Sequence, residues 1–147
     1  MSSFATITNK RLTGFFFSLL LSTNSWAQTQ PELVDAWITA APPGSRNLAG
    51  YFIFENKTTN NFKIIKVKSP AFEKVEMHQV SFPNGMMRMT EIEELALPAG
   101  QTVAFETGTR HLMLIGPKHA LPIGSKVKVD FSLNNGEIIN AQLDVRR

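Results

Sequence analysis

From residue 33 onward, the sequence consists of short apolar or alternating runs, each ended by turn residues. "LAGYFIFEN" (48–56) is almost continuously apolar, which is typical of a buried strand, whereas "EKVEMHQV" (73–80) alternates. Asn84-Gly85 and Asn134-Asn135-Gly136 are hairpin signals. The predicted strands are residues 33–40, 48–56, 62–69, 73–80, 86–95, 102–106, 110–116, 125–133 and 137–145. Such short strands, spaced by roughly ten residues, predict a single all-β domain, a Greek-key sandwich or barrel.

Residues 1–27 have the features of a signal peptide. Lys10 and Arg11 give a positive start, "LTGFFFSLLL" is an apolar run too short to span a bilayer, and "SWA" offers the small residues that signal peptidase requires. The mature chain is therefore predicted to begin at Gln28 and to be exported as one domain, residues 28–147. An uncleaved membrane anchor is the alternative.

The composition excludes several classes of function. The chain contains no cysteine, so it cannot form a disulfide, a thiolate metal site or a catalytic thiol. Loss of Lys10 and Arg11 with the signal leaves 13 basic against 12 acidic residues, a charge near +1. The lysines are spread along predicted strands without interleaved aromatic side chains: Lys57, Lys63, Lys66, Lys68 and Lys74. Neither a nucleic acid nor, after signal cleavage, a membrane is a predicted partner.

The segment "MHQVSFPNGMMRM" (77–89) holds four of the six methionines and one histidine. Because side chains alternate across a strand, His78 is predicted to lie on the face opposite Met77, and His111 and Met113 on the face opposite two leucines. Met77 is therefore predicted to pack in the core, like the aromatic residues Phe52, Phe54, Phe62, Phe105 and Phe131. A lone methionine or histidine usually has such a packing role, but imidazole and thioether groups that both oppose apolar faces favour a metal site.

Thioether and imidazole groups together suit copper in its reduced state. Two of each would complete a four-coordinate shell around Cu(I), which leaves no open position for a substrate or a water molecule. A blue-copper electron-transfer site is excluded because it needs a cysteine thiolate. The pattern thus predicts carriage of the metal and not an enzyme.

The spacing His78-x10-Met89-x21-His111-x-Met113 resembles the copper-binding signature of the periplasmic copper chaperones of the PCuAC type. The flanking "VEMH", "NGMMRM" and "LPAGQTVAFETGTRHLMLIG" are also similar to the family pattern, and the resemblance covers nearly the whole mature chain. It implies a cupredoxin-like β-sandwich that binds one Cu(I) through these four residues. It further implies a periplasmic location, delivery of copper to cytochrome c oxidase assembly, and transient contact with a Sco-type protein or an oxidase subunit.

The chain departs from that family pattern in several places. It ends in "LDVRR", without the His- and Met-rich tail that holds a second copper in some members, so one copper per chain is expected. Many relatives have a methionine soon after the first histidine, whereas Gln79 and Val80 stand here. Met87, predicted to share a strand face with Met89, is the reserve ligand, with hairpin packing as the alternative. His119 matches no ligand position and is assigned to the surface.

Two other classes of function remain open from the sequence. The chain could be an exported β-sandwich module that binds or assembles proteins through a methionine-rich contact patch. It could also be an exported metal-dependent oxidoreductase or hydrolase, although no motif for either is present. The roles of Met86 and Met87 are undecided between metal binding and packing.

Overall fold

A computed structural model describes residues 30–147, and the predicted signal peptide (1–27) and its cleavage point lie outside this range. The described chain forms ten β-strands and one short 3-10 turn, Pro83–Gly85. The strands are β1 Glu32–Thr39, β2 Asn47–Glu55, β3 Phe62–Lys68, β4 Phe72–Ser81, β5 Arg88–Glu91, β6 Leu95–Leu97, β7 Thr102–Phe105, β8 Arg110–Pro117, β9 Lys126–Leu133 and β10 Ile138–Arg146. The all-β prediction is confirmed.

One curled sheet contains all ten strands. Its order is β5-β4-β8-β2-β1-β10-β9-β3-β6, and β7 pairs with the second half of β2. The pairing of β1 with β10 is parallel, and the other pairings in the described chain are antiparallel. Strands β5, β4 and β8 are therefore consecutive neighbours, although long stretches of sequence separate β5 from β8. No helix within residues 30–147 is long and apolar enough to cross a membrane.

The inner face of the curled sheet carries an aromatic core. The five phenylalanines predicted to be buried are at most 5% exposed: Phe52, Phe54, Phe62, Phe105 and Phe131. The Phe52 ring stacks on that of Phe105 with centroids 4.4 Å apart, and Phe131 meets Phe54 edge to face at 5.1 Å. Each such ring removes roughly 150–250 Å² from water, so this cluster holds the sheet in its curled form.

The prediction of one continuous strand over residues 86–95 is wrong. The segment forms β5, which pairs with β4 at one end of the sheet order, and then β6, which pairs with β3 at the other end. Between them, the Ile92 N–H donates to the Met77 carbonyl oxygen at 2.7 Å as the chain leaves β4. Both pieces are strands, but they have different partners.

Candidate metal site

Strands β4 and β8 place His78 and His111 directly opposite each other. Their ring centroids are 5.7 Å apart, and the ring planes are inclined by 63°. The next pair on the same face is Glu76 with Met113, whereas Met77 pairs with Leu112 on the core face. The predicted face assignment of the two histidines is confirmed, as is the packing role of Met77, which is 3% exposed.

Met113 and Met89 lie on opposite sides of the histidine pair. Met113 is two residues from His111 along β8 and lies opposite Glu76 of β4. Met89, on β5, is opposite Val80, so it is diagonal to His78 at the other end. His78 is thus the residue that neighbours all three others, across the strands or diagonally. The structure brings His78, His111 and Met113 together and sets Met89 beside them on the edge strand.

Met87 does not share a strand face with Met89, so that part of the prediction is wrong. The last pair of the β4–β5 ladder joins Ser81 to Arg88, and Met87 belongs to the connection before β5. Asn84 and Gly85 have φ values of 54° and 78°, the positive values that the hairpin signal predicts. However, the connection contains six residues and includes a 3-10 turn, so strand alternation stops short of Met87.

His111 is the more deeply placed of the two imidazoles. It is 8% exposed because β8 lies between β4 and β2 in the sheet. Burial lowers the pKa of His111 below its ordinary value, and charge repulsion from His78 lowers it further. At neutral pH His111 is therefore uncharged, which is the form in which an imidazole nitrogen can bind a metal.

A chain of polar contacts supports His78 from the same strand. The Nε2 atom of His78 lies 2.8 Å from Oε2 of Glu76, and the other carboxylate oxygen, Oε1, pairs with Nζ of Lys74. The hydrogen bond from Lys74, together with that from His78, lowers the pKa of Glu76, although burial opposes the shift. Nδ1 of His78 is buried and has no hydrogen-bond partner within residues 30–147.

Sequence reasoning overlooked Glu76 as a partner of His78. The sequence does indicate this contact: Lys74, Glu76 and His78 follow one another at intervals of two residues, so a strand places all three on one face. His119 lies on the exposed loop after β8, as expected. The site face therefore combines two imidazoles, two thioethers and two carboxylates: Glu76, which is already engaged by Lys74 and His78, and Glu91, which lies opposite His78 on β5.

Comparison with known proteins places the chain in a family. A family model described as "Putative lipoprotein LpqE-like" matches residues 32–145. A protein of Leifsonia xyli subsp. xyli named "Putative lipoprotein" is 29% identical over 106 residues, which cover 71% of this chain. The aligned regions span 55% and 63% of the lengths of two curated relatives that the chain matches.

Solved structures share the fold. The copper-bound PCuAC domain from PmoF2 is 18% identical, with a TM-score of 0.67 and coverage of 82% of this chain and 96% of that one. The Cu(I) form of DR1885 from Deinococcus radiodurans is 24% identical, with a TM-score of 0.67 and coverage of 84% and 83%. The chain therefore has the cupredoxin-like fold of PCuAC domains.

Proposed function

The chain belongs to the LpqE-like family, and from this premise we propose that it is a copper chaperone that carries one Cu(I) ion. The proposed ligands are His78, Met89, His111 and Met113. The observation that carries the proposal is the register: His78 adjoins each of the other three residues on one outer face. A shared ion would accordingly sit over His78, and Met89 would reach it from the edge strand.

The chemistry of this donor set favours cuprous ion. Thioether sulfur is soft and neutral, and imidazole also suits copper, whereas magnesium and calcium prefer oxygen ligands. Two carboxylates share this face: both oxygens of Glu76 are occupied by Lys74 and His78, and Glu91 lies opposite His78 on the exposed edge strand β5. A shell of two nitrogens and two sulfurs has no open position, so the proposal is for transport and not for catalysis.

Exchange of the ion is favoured by the exposure of the edge strand. Met89 is 42% exposed, and every residue of β5 is exposed. An acceptor protein could replace Met89 first, then the ligands on the central strands.

Thioethers also avoid the disulfide formation that would disable paired thiols in an oxidising compartment, although they oxidise slowly to sulfoxides.

We place this activity in the periplasm, in a domain of residues 28–147 released from a signal peptide of residues 1–27. The family description and the Leifsonia relative's name contain the word lipoprotein, which supports export. The 147 residues contain no cysteine thiol to which a lipid could be attached. The proposed recipients are the cytochrome c oxidase assembly machinery and a Sco-type protein, and the names of copper-bound structural neighbours support copper as cargo.

Competition with a Cu(I)-specific chelator tests the proposal. We expect one Cu(I) per chain of residues 28–147, and a loss of affinity of more than about 100-fold in His111→Ala/Met113→Ala, which exceeds the loss caused by changing groups outside the ligand set. His119→Ala, on the exposed loop, is the control and should bind like the parent protein. Full affinity in the double variant would refute the assigned site.

A second candidate function rests on the connection between β4 and β5. Phe82, Met86 and Met87 are 60%, 70% and 68% exposed, an apolar group beside the proposed ligands. This favours a protein-binding or assembly module with a methionine-rich contact patch. Binding of a protein partner that is equally strong with and without copper would support the module over the chaperone.

A further inference from the structure

We propose that Glu76 is a positioning residue that makes His78 bind copper through Nδ1. This inference rests on the proposed function and names the atom through which one ligand acts. The starting observation is that the two ring nitrogens of His78 have different surroundings. Nε2 is 2.8 Å from the Glu76 carboxylate, whereas Nδ1 is buried without a hydrogen-bond partner in the described part of the chain.

The contact with Glu76 determines where the proton of a neutral His78 ring resides. An ionised carboxylate can only accept a hydrogen bond, so Nε2 must be the donor and must carry the hydrogen. Nδ1 then keeps its lone pair. A buried nitrogen with no partner is unfavourable and requires an explanation; a soft cation over His78 provides one.

Lys74 completes the arrangement. Its Nζ pairs with one Glu76 oxygen while His78 uses the other, so the carboxylate is held at both oxygens along β4. Because Glu76 lies opposite Met113 in the adjacent strand, an unrestrained carboxylate would be close to the proposed ion. Holding it against Lys74 keeps a hard oxygen ligand away from a soft metal and keeps the imidazole ring from turning over.

Nitrogen-15 NMR of the histidine side chains tests this inference, and its first readout needs no copper. In the metal-free protein at pH 8, we expect His78 to be protonated at Nε2 and bare at Nδ1. On addition of Cu(I), the Nδ1 resonance should shift, and Nε2 should keep its proton. In Glu76→Ala we expect a mixture of protonation sites and a Cu(I) affinity lower by about 10- to 100-fold.

Two further variants make the test selective. Glu91→Ala removes the carboxylate that lies opposite His78 on β5, and we expect it to leave both the His78 nitrogen signals and the affinity unchanged. Glu76→Gln keeps the size of the side chain, so it replaces Glu76→Ala if that variant does not fold, and it should also lower the fraction protonated at Nε2.

The outcomes separate this inference from the proposed function. Copper bound through Nε2 of His78, or an Nδ1-protonated ring in the metal-free protein, would overturn the role of Glu76 and leave the chaperone proposal intact. Failure to bind copper at all would overturn the chaperone proposal and, with it, binding through Nδ1, even if His78 in the metal-free protein proved to be protonated at Nε2.

Discussion

His78 and His111 stand directly opposite each other on β4 and β8, with their ring centroids 5.7 Å apart. The two residues are far apart in sequence, and the central position of β8 buries His111 while the edge of the sheet lies only two strands away. The two imidazoles are therefore largely buried, and Met89 on the edge strand beside them is 42% exposed.

The stability of the metal-free protein should depend on the protonation of His111. Its pKa is lowered by burial and by His78, so the unfolded chain binds a proton more readily than the folded chain does. The free energy of unfolding is then unaffected well above pH 6.5, the ordinary histidine value, and falls as the pH drops below it toward the lowered folded value. Urea unfolding of the parent and of His111→Gln at a series of pH values measures this.

The control for this experiment is His119→Gln, because His119 is exposed on a loop. We expect His119→Gln to keep the pH dependence of the parent, whereas His111→Gln flattens it over the range below pH 6.5. An equal dependence in the parent and in His111→Gln would mean that His111 is not the group responsible.

Truncation of Met77 should destabilise the protein far more than truncation of Met86. Met77 is 3% exposed in the core, so Met77→Ala should lower the free energy of unfolding by about 2–5 kcal/mol through lost burial and the cavity left behind. Met86 is 70% exposed, and Met86→Ala should change it by no more than about 0.5 kcal/mol. Chemical unfolding of the two variants provides the comparison, and a similar cost for both would contradict the assigned environments.

Much of the fold follows from local sequence patterns. The period of two in "RHLMLIG" separates the leucines from His111 and Met113, and this requires no knowledge of the partner strand. The turn at Asn134-Asn135-Gly136 was predictable for the same reason, since Gly136 adopts φ 89° and the strands on each side pair. Local alternation and turn chemistry are properties of adjacent residues.

The pairing partners of the strands, and the contacts between particular side chains, could not be predicted from local patterns. Residues 86–95 were predicted as one strand because no Gly or Pro interrupts them, but β5 and β6 lie at opposite ends of the sheet order. Spacing alone also cannot show that Glu76 holds Nε2 of His78, because that contact depends on side-chain conformation and on the competing ion pair with Lys74. Such features belong to the assembled sheet.

The reserve role of Met87 can be tested by combining substitutions. If Met87, 68% exposed beside β5, replaces Met89 when Met89 is lost, Met89→Ala should retain part of the Cu(I) affinity. Met87→Ala alone should leave the affinity unchanged, and Met87→Ala/Met89→Ala should lose more than the two single variants together. Chelator competition measures the Cu(I) affinity of all three variants. Strictly additive losses would rule out replacement of Met89 by Met87 as a ligand.

Copper loading should stabilise the folded protein by mass action. At a free Cu(I) concentration about 100 times the Kd, the expected gain is about 2.7 kcal/mol in the free energy of unfolding. His111→Ala/Met113→Ala should show no such gain at the same concentration. Thermal unfolding under anaerobic conditions detects it as a rise in Tm, and an equal rise in the double variant would place the bound copper elsewhere.

The proposed site has a mixed nitrogen and sulfur shell, and X-ray absorption on the Cu(I)-loaded protein counts those neighbours directly. We predict two imidazole nitrogens and two thioether sulfurs around each copper, with one sulfur lost in Met113→Ala. A shell without sulfur, or one that is unchanged in Met113→Ala, would contradict the proposed site.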